Sequence, residues 1–477
     1  MRLKLSWSLA AAIAAFTAAA GAAPPRETRI PDAAMATAAQ LRETALHDRT
    51  AWDAVESLTT EVGPRLAGSE ADARAVAWAE AKFRALGYDK VWRQEVTFPK
   101  WERRSESGAV LGAHAQPLHL TALGGSPGGT VEGEVVRFAD LAALEAAPKG
   151  SLAGKIAFVD FAMARARDGS GYGEGSKVRG RGPSAAIRAG AAGYVMRSAG
   201  TDLHRNPHTG ITRFDEGLTP IPSAALSVPD AEQLARLVAL GAPVRIRVAL
   251  DCGWDGTATS YNVIGEVTGR DRKLRDEVVV IGGHLDSWDL GTGAIDDGAG
   301  VAIGMGAGRL IAQLPKAQRP PRTIRVIAFA NEEQGLYGGK AYAEAQKPNV
   351  AKHQMVAESD FGAGRIYAFA TSAPAYAQAA AARIAEALAP LGIEAVAEGH
   401  PASDVGAIAA EGAAWASLKQ DGTDYFDLHH TPDDTLDKID PAALAQNTAA
   451  YAVFAYLAAS ADGGFGSAPK PADAANP

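Results

Sequence analysis

The sequence contains one cysteine, Cys252, among its 477 residues. A single thiol cannot form an intramolecular disulfide, so the folded chain depends on a buried core for its stability. The core can be large, because 47% of the residues are hydrophobic and the chain is long enough for two or three domains.

Positive charge and long apolar runs are also scarce. The chain has 47 Lys and Arg residues against 55 Asp and Glu residues, which gives a net charge of −8. This balance argues against a nucleic-acid or anionic-membrane partner. Beyond the N-terminal region no stretch of 18 apolar residues occurs, so no later segment predicts a transmembrane helix.

The N-terminal region is typical of a secretory signal peptide. Arg2 and Lys4 precede an Ala-rich apolar run, and residues 20–22 are the small residues expected at a cleavage site. A membrane anchor is the alternative, but the run is short and interrupted by small residues. No cysteine follows it, which argues against a lipoprotein. Because high Ala and Gly content is typical of a GC-rich bacterial genome, we expect an exported protein that is periplasmic or extracellular.

The rest of the chain predicts an α/β fold with an insertion. Helical patterns followed by a strand open the larger domain, and short strands around one helix, expected at 183–191, then form a smaller module. The final residues are rich in Gly, Pro, Ala and Asp. We therefore divide the chain into a signal peptide (1–22), the N-terminal part of the larger domain (23–117), the inserted module (118–250), the C-terminal part of the larger domain (251–462) and a disordered tail (463–477).

Two histidines and three arginines of the inserted module are candidates for binding, but a simpler interpretation is favoured for each. His204 and His208 flank a loop and are expected to be exposed. An anionic group could bind Arg179, Arg181 and Arg188, although a solvent-exposed face is the expectation for all three. The sequence assigns no catalytic role to this module.

The first chemical signal follows a strand of the larger domain. Residues 277–282 form a β-branched apolar run, typical of a strand covered on both faces, and His284 comes directly after it. Asp296 and Asp297 follow, at the start of an Ala- and Gly-rich helix expected at 297–314. Alone, this histidine is also typical of a structural residue, and the acidic pair of a turn or helix cap.

Three more clusters make the pattern specific. Glu332 and Glu333 follow an apolar strand at 323–330, Asp360 follows an apolar segment that begins at 355, and a polar loop carries His429 and His430 before a final helix. Ligands of open α/β sheets bind beyond the carboxyl ends of the strands. We therefore expect these acidic and imidazole groups to converge.

The residue types predict the cofactor. Imidazole and carboxylate groups without thiolate suit zinc, and also manganese or cobalt, whereas Ca²⁺ and Mg²⁺ do not normally recruit histidine. Two histidines and three carboxylates exceed the three protein ligands of one catalytic zinc. Two zinc ions about 3.5–4 Å apart with a shared carboxylate account for the number. A glycosidase would need only two carboxylates and would leave the histidines unexplained.

These motifs resemble the cocatalytic-zinc aminopeptidase family. The matching runs are Gly-Gly-His-Leu-Asp-Ser-Trp-Asp with Asp-Asp-Gly, Asn-Glu-Glu-Gln-Gly, Glu-Ser-Asp and His-His-Thr-Pro-Asp-Asp-Thr. Within the family the chain looks most like the carboxypeptidase Q (plasma glutamate carboxypeptidase) group, over nearly the whole mature chain. The resemblance implies a three-layer α/β/α sandwich with a mostly parallel mixed sheet, and it implies that the inserted module is a protease-associated (PA) domain.

The resemblance also implies a role for each of the following residues in these motifs. Glu332 would be the general base, and Asp286 would orient the imidazole of His284. Asp297 would follow the bridging residue through a cis peptide bond. The metal ligands would be His284 and Asp360 for one zinc, Glu333 and His430 for the other, and Asp296 between them.

The implied activity is hydrolysis of a peptide bond near a free terminus, in dipeptides or short peptides, with the free amine close to the metals. His429 or Tyr425 would donate to the oxyanion, or either would be structural. The resemblance to the carboxypeptidase Q group also implies a homodimer. Two alternatives stay open: an acyltransferase related to glutaminyl cyclase with one zinc, and a metal-poor receptor-like relative. The second ligand set argues against the first, and the complete set of ligands against the second.

Overall fold

The computed structural model describes residues 26–466. The predicted signal peptide and residues 467–477 of the predicted tail lie outside this range. Within it, the helices are α1 (Asp32–Ala45), α2 (Thr50–Glu61), α3 (Glu70–Ala85), α4 (Leu141–Glu145), α5 (Tyr172–Arg188), α6 (Val228–Ala239), α7 (Ala299–Ala312), α8 (Tyr337–Gln346), α9 (Gln378–Leu388), α10 (Val405–Ala410), α11 (Tyr425–Leu428) and α12 (Pro441–Ser460).

The strands contribute to one large sheet and one small one. They are β1 (Lys90–Val110), β2 (Gln116–Leu118), β3 (Leu120–Ala122), β4 (Gly129–Phe138), β5 (Ile156–Val159), β6 (Gly193–Arg197), β7 (Ser223–Leu226), β8 (Arg245–Val267), β9 (Val278–His284), β10 (Thr323–Phe329), β11 (His353–Val356), β12 (Ile366–Thr371), β13 (Glu394–Ala395) and β14 (Ala416–Gln420).

The large sheet aligns the strand ends that carry the predicted site. Its order in the larger domain is β11-β9-β10-β8-β1. β9 runs parallel to both β10 and β11, and His284 pairs with Phe329, so the ends of β9 and β10 lie side by side. β8 is antiparallel to β10 and to β1. The sheet is therefore mixed, as predicted: β8 runs opposite to β1, β9, β10 and β11, which share one direction.

Helices cover both faces of this sheet, which makes three layers. Along β9, Val279 and Ile281 pack into a core formed with α1, α2, α7 and α12, whereas Val278 and Val280 pack with α8 and α10. α7 lies very close to β9, since a Cβ on Gly283 would come within 2.7 Å of the Gly300 carbonyl carbon. Small residues at this crossing let the turn before α7 approach the end of β9.

The inserted module continues the sheet of the larger domain. Strands β4-β5-β6-β7-β3 follow β8 in the same sheet, and β4 pairs antiparallel with β8. The chain enters the module from β1 and returns through β8, and these two strands pair from Lys90 with Glu266 to Val110 with Ile246. α5 and α4 pack on one face of the module and α6 on the other.

The helix expected at 183–191 begins earlier than predicted. α5 starts at Tyr172 and contains Pro183 in its interior. Glycine and proline lower the helix propensity of this stretch, so the sequence pattern favoured a loop. Burial of Val178, Ala185 and Ala186 in the core of the module outweighs that preference.

Residues 463–466 are ordered, although they belong to the segment predicted as a disordered tail. Phe465 is fully buried, and its amide donates a hydrogen bond to Gln354 at 2.9 Å. The Gly463 carbonyl accepts a hydrogen bond from Arg322. Among the described residues, none of the helices has the length and apolarity that a membrane crossing requires.

Candidate metal centre

His284 is the last residue of β9, and its surroundings fix its ring. Nδ1 lies 2.9 Å from the carbonyl oxygen of Asp286, and the His284 amide donates to Asp297 Oδ2 at 3.0 Å. Because a carbonyl can only accept, Nδ1 carries the proton and Nε2 is left as a metal ligand. Nε2 lies 3.0 Å from Asp296 Oδ1 and 3.5 Å from Asp360 Oδ1.

Asp296 lies between the two predicted sets of ligands. Its Oδ1 faces His284, and its Oδ2 lies 3.2 Å from Nε2 of His430. The turn at Ala294–Gly298 presents this side chain at the start of α7, and the peptide bond between Asp296 and Asp297 is cis. One carboxylate therefore contacts both imidazoles, one with each oxygen.

His430 and Glu333 form the other half of the cluster. His430 Nε2 lies 2.9 Å from Glu333 Oε2. Its Nδ1 donates to the carbonyl of Thr209 at 3.2 Å, so its Nε2 is also free of a proton in the neutral ring. His430 has a φ of 59°, a conformation that non-glycine residues rarely adopt. Thr209 belongs to the inserted module, so this module holds one of the two imidazoles.

Asp360 and Glu332 reach the centre from the ends of the two strands that flank β9. Asp360 follows β11, and the amide of Ser359 donates to the Gly282 carbonyl at 2.9 Å. Glu332 follows β10 and is half-buried in the same cleft. Its amide donates to Asp286 Oδ1 at 3.0 Å. Burial, reinforced by the charge of Asp360, raises the pKa of the Glu332 carboxyl well above its ordinary value.

The contact expected between Asp286 and His284 runs through the main chain. The carbonyl of Asp286 lies at hydrogen-bond distance from His284 Nδ1, whereas its carboxylate Oδ1 lies 3.7 Å away. That carboxylate instead accepts the amide of Glu332. Asp286 thus links the loop after β9 to the loop after β10.

His429 and Tyr425 line the same cleft beside the cluster. The His429 ring stacks on that of His430 with 3.4 Å between centroids, and its Nε2 lies 3.6 Å from Asp296 Oδ2. Burial and the neighbouring His430 lower the pKa of His429 well below its ordinary value. Tyr425 packs 4.9 Å from His429, and burial raises its hydroxyl pKa well above the ordinary value, so it keeps its proton.

The donor atoms fit metal ions of the predicted kind. Four ligands around a tetrahedral zinc at 2.0–2.1 Å stand roughly 3.3 Å apart. The contacts of His284 with Asp296 and Asp360, and of His430 with Asp296 and Glu333, span 2.9–3.5 Å. Each half of the cluster offers one imidazole nitrogen and carboxylate oxygens. Glu333 Oε1 is buried with no hydrogen-bond partner among residues 26–466, so it is free to bind an ion. His429 with His430 and Asp296 is a further close group of donors.

The charge of the cluster also suits a cation. Burial opposes protonation of His284 and His430, yet the adjacent carboxylates raise the pKa of both imidazoles well above the ordinary value. The same carboxylates oppose each other, and burial with this repulsion raises the pKa of Glu333. A divalent cation would relieve the repulsion without a bound proton.

Two residues that the sequence did not indicate support the loop carrying Asp296. Asp434 accepts the amides of Ile295 and Asp296 at 2.6 and 3.2 Å. The fully buried Arg65 donates to the carbonyls of Leu285, Thr292 and Gly293. Asp434 lies in the His-His-Thr-Pro-Asp-Asp-Thr motif, where the sequence indicated no role for it. Nothing in the sequence around Arg65 indicated its contacts.

The cleft over the cluster has a volume of about 700 Å³ and walls from both parts of the chain. The inserted module contributes Tyr172, Arg179 and Arg213. Arg179 is buried, with 8% of its surface exposed, whereas Arg181 and Arg188 are exposed as expected. The solvent-exposed face expected for Arg179 is therefore wrong, because α5 turns this residue toward the cleft.

The two module histidines differ in environment. His204 is exposed, as expected. His208 is only 2% exposed, and its ring centre lies 6.2 Å from that of His429, so the expectation of an exposed loop residue is wrong. Burial lowers the pKa of His208 to about 3. The loop folds against the candidate metal centre instead of into solvent.

Comparisons with known proteins are consistent with this site. Residues 262–455 match the family described as Peptidase family M28. The chain is 33% identical over 401 residues to Carboxypeptidase Q from Xenopus laevis, covering 83% of each chain. It is 47% identical to a crystal structure of a Peptidase M28 precursor from Shewanella amazonensis SB2B, with a TM-score of 0.88, covering 92% of this chain and 99% of that chain. A zinc aminopeptidase from Bacillus subtilis, 20% identical, shares the fold with a TM-score of 0.63, covering 85% of this chain and 94% of that chain.

Proposed function

The chain belongs to peptidase family M28 and is a zinc metallopeptidase, and we propose that it is a two-zinc exopeptidase that cleaves dipeptides or short peptides beside a free amino terminus. The family and the α/β fold with a mixed sheet agree with the prediction from the sequence. The observation that carries the proposal is the contact of each Asp296 carboxylate oxygen with a different imidazole.

In this proposal the cluster holds two zinc ions. His284 and Asp360 would bind one ion, His430 and Glu333 the other, and Asp296 would bind both. Bound zinc supplies a water with a lowered pKa and polarises the carbonyl of the substrate. Manganese or cobalt would satisfy the same donors. The hydrogen bonds that fix Nδ1 of both histidines support this assignment, since they leave both Nε2 atoms available.

Glu332 is the proposed general base. Its carboxylate would take a proton from the attacking water and return it to the nitrogen of the leaving amine. This role is supported by its position in the cleft beside the cluster of proposed ligands. The contact between its amide and Asp286 keeps the loop beside His284.

The oxyanion that develops on the substrate carbonyl needs a hydrogen-bond donor. Tyr425 is the donor that we favour, because its hydroxyl keeps its proton and it lines the cleft. His429 is the second candidate, although its Nε2 is directed toward Asp296. Either side chain would act beside the cluster without being needed to hold the metal.

We further propose that the protein is exported to the periplasm or the extracellular space and that the inserted module is a PA domain. Residues 1–22 support export, and the separate core of the module supports an independent unit. Association as a homodimer is part of the same proposal. Size-exclusion chromatography with light scattering tests the dimer, and the cellular fraction that contains the mature chain tests export.

The activity is tested by hydrolysis of a dipeptide library with and without a metal chelator, together with zinc analysis. About two zinc ions per chain and chelator-sensitive hydrolysis are expected. A zinc content of one ion per chain, together with cyclisation of N-terminal glutamine, would favour a glutaminyl-cyclase-like acyltransferase. A protein that binds no zinc would favour the receptor-like alternative. Zinc-loaded protein that hydrolyses no dipeptide or short peptide would contradict the proposal.

A further inference from the structure

Arg103 in β1 is a buried cation with partners on both sides of the boundary between the larger domain and the inserted module. Its side chain is only 6% exposed. In the larger domain, Nε and Nη2 donate to the two carboxylate oxygens of Asp289 at 3.0 and 3.2 Å, the parallel arrangement that a guanidinium favours. In the module, Nη2 also donates to the Thr209 hydroxyl and Nη1 to the Ala122 carbonyl, both at 3.0 Å. Glu106 of β1 supplies a second negative charge, 2.9 Å from Nη1.

The contact with Thr209 connects this guanidinium to His430. Thr209 is fully buried, and its hydroxyl accepts from Arg103 and donates to the Ala122 carbonyl at 2.8 Å. The main chain of Thr209 then contacts His430 twice, because its carbonyl accepts Nδ1–H at 3.2 Å and its amide donates to the His430 carbonyl at 3.1 Å. The Thr209 carbonyl selects the tautomer in which Nε2 can bind a metal. A displacement of Thr209 would therefore reach a proposed metal ligand.

The contact with Asp289 leads to the same imidazole through a second neighbour. Asp289 directly follows Trp288, whose ring centre lies 5.8 Å from that of His430. Trp288 is only 3% exposed and packs edge-on against Trp101 with 6.0 Å between centroids. The Arg103 guanidinium lies 5.5 Å from the Trp101 ring centre. Both parts of the chain that Arg103 binds thus contact His430.

Arg104, the next residue of β1, offers a matched comparison. Its side chain is 47% exposed, and it pairs with Glu102 and Asp251 at the surface of the sheet. The same charge one position further along therefore lies on the solvent side of the strand. The register of β1 with β8 shifts between Arg103 and Ser105, and such irregularities change the direction of side chains.

We propose that Arg103 is a positioning residue that sets the zinc affinity of the His430 half of the metal centre, by holding two neighbours of that imidazole in place. The inference rests on the proposed two-zinc function and goes beyond it, since Arg103 does not line the cleft. His284 does not depend on Arg103 in this scheme, because its ring is held by the Asp286 carbonyl within its own loop.

The test measures zinc affinity by competition with a chelator. Wild type is expected to bind two ions. Arg103→Met should raise Kd for one ion by roughly 10- to 100-fold, the usual effect of losing the support of a metal-binding histidine, and Kd for the other by less than about threefold. Arg104→Met should leave both Kd values within about twofold of wild type. Wild-type Kd values for both ions in Arg103→Met would overturn the inference and leave the proposed function intact.

The His430→Ala background shows which ion is affected. This background keeps the proposed ligands of the other ion, so Arg103→Met should change the Kd of the remaining zinc by less than about threefold there. A loss of affinity that is equal with and without the His430 imidazole would show that Arg103 supports the fold as a whole, and the inference would be abandoned.

A milder variant covers the case in which Arg103→Met does not fold, since that change leaves the Asp289 and Glu106 carboxylates without their partner. Thr209→Val removes only the hydroxyl that Arg103 binds and keeps the shape of the side chain. It should raise Kd for the same ion by roughly 10-fold, the lower end of the same range, and have no such effect in the His430→Ala background. A wild-type Kd in Thr209→Val would count against the inference.

Hydrogen exchange gives a readout that needs no zinc. In the metal-free protein, exchange of the Thr209 amide reports whether Thr209 stays bound to the His430 carbonyl. Arg103→Met should speed this exchange by roughly 10-fold or more, whereas Arg104→Met should not. Wild type that binds no zinc would overturn the proposed function, and the exchange rates would then decide whether Arg103 holds the two segments together. Equal exchange in wild type and Arg103→Met would overturn the inference.

Discussion

Thr209 and His430 are joined by two hydrogen bonds, one to the imidazole and one to the main chain of His430, across the boundary between the inserted module and the larger domain. The Thr209 carbonyl accepts Nδ1–H of His430 at 3.2 Å, and the Thr209 amide donates to the His430 carbonyl at 3.1 Å. The module therefore sets both the backbone and the tautomer of an imidazole in the metal centre. The tautomer matters because only an unprotonated Nε2 can bind a metal.

Replacement of Glu332 with Gln is expected to lower kcat by roughly 10²- to 10⁴-fold, because the amide cannot move the proton of the water. Zinc content should stay at the wild-type value, since the Glu332 side chain is outside the proposed ligand set. Steady-state kinetics and elemental analysis measure the two effects. Glu344→Gln, an exposed change in α8, is the control. A Glu332→Gln enzyme with near-normal kcat would rule out this base.

Replacement of Asp296 with Asn is expected to reduce bound zinc from about two ions per chain to fewer than one, because both halves of the centre lose a charged oxygen. Elemental analysis after dialysis gives the number. The exposed Asp437→Asn is the matched control and should keep the wild-type content. Retention of both ions by the Asp296→Asn protein would show that this carboxylate does not bridge the sites.

Replacement of Arg65 with Met should lower the free energy of unfolding of the metal-free protein by roughly 3 kcal/mol or more. Three carbonyls next to the metal centre lose their donor, and each unpaired buried acceptor costs about 1–3 kcal/mol. Denaturant titration measures the change. Arg49→Met removes an exposed ion pair and should cost less than about 1 kcal/mol. Equal effects of the two changes would contradict the supporting role of Arg65.

Asp72 and Asp434 should contribute stability to the metal-free protein that is lost as the pH rises from about 4 to about 7. Burial raises the pKa of Asp72 and of Asp434 to about 7, so both carboxyl groups bind protons more tightly in the folded state. Their stabilising effect is complete below the unfolded pKa, which is about 3.9, and disappears as the pH rises through the folded pKa. Buried His208 and His353, whose pKa values are lowered to about 3 and about 4, act in the opposite direction, so the contribution of Asp72 is measured by comparing wild type with a variant that lacks this carboxyl group.

The variant Asp72→Asn tests the cause of this pH dependence. Asp72 accepts Gly68 N at 2.8 Å and Ser260 Oγ at 2.9 Å, and it is not among the proposed metal ligands. The midpoint of thermal unfolding is measured at pH 5 and at pH 8. From pH 5 to pH 8, the midpoint of the variant should change in the direction of greater stability relative to that of wild type, because the variant lacks the proton that Asp72 releases. An identical change of midpoint in wild type and variant would contradict this role of Asp72.

The sequence allowed the convergence of the metal-site residues to be predicted because their positions depend on strands. His284 ends β9, whereas Glu333 and Asp360 follow β10 and β11, and parallel strands place their carboxyl ends at one edge. The apolar runs identified these strands without any knowledge of distant contacts. The roles of the residues as ligands and base stay predictions until zinc binding is measured.

Residues that act through distant loops could not be predicted in the same way. Arg179 and His208 reach the cleft only because the inserted module folds against the larger domain. Arg65 contacts carbonyls more than 200 positions away along the chain. Such contacts leave no periodic pattern, since they depend on how two loops meet after both have folded. The early start of α5 was missed because buried packing outweighed local propensity.

The long pairing of β1 with β8 determines how freely the cleft can widen. Main-chain hydrogen bonds run along this pair from the larger domain into the module, with register shifts between Pro99 and Trp101 and between Arg103 and Ser105. A double strand resists hinge motion far more than a single-stranded linker does. Arg179 is thus carried on a wall that is continuous with the sheet of the larger domain, and a small change of twist at the two irregular positions would alter its distance from the proposed zinc ligands.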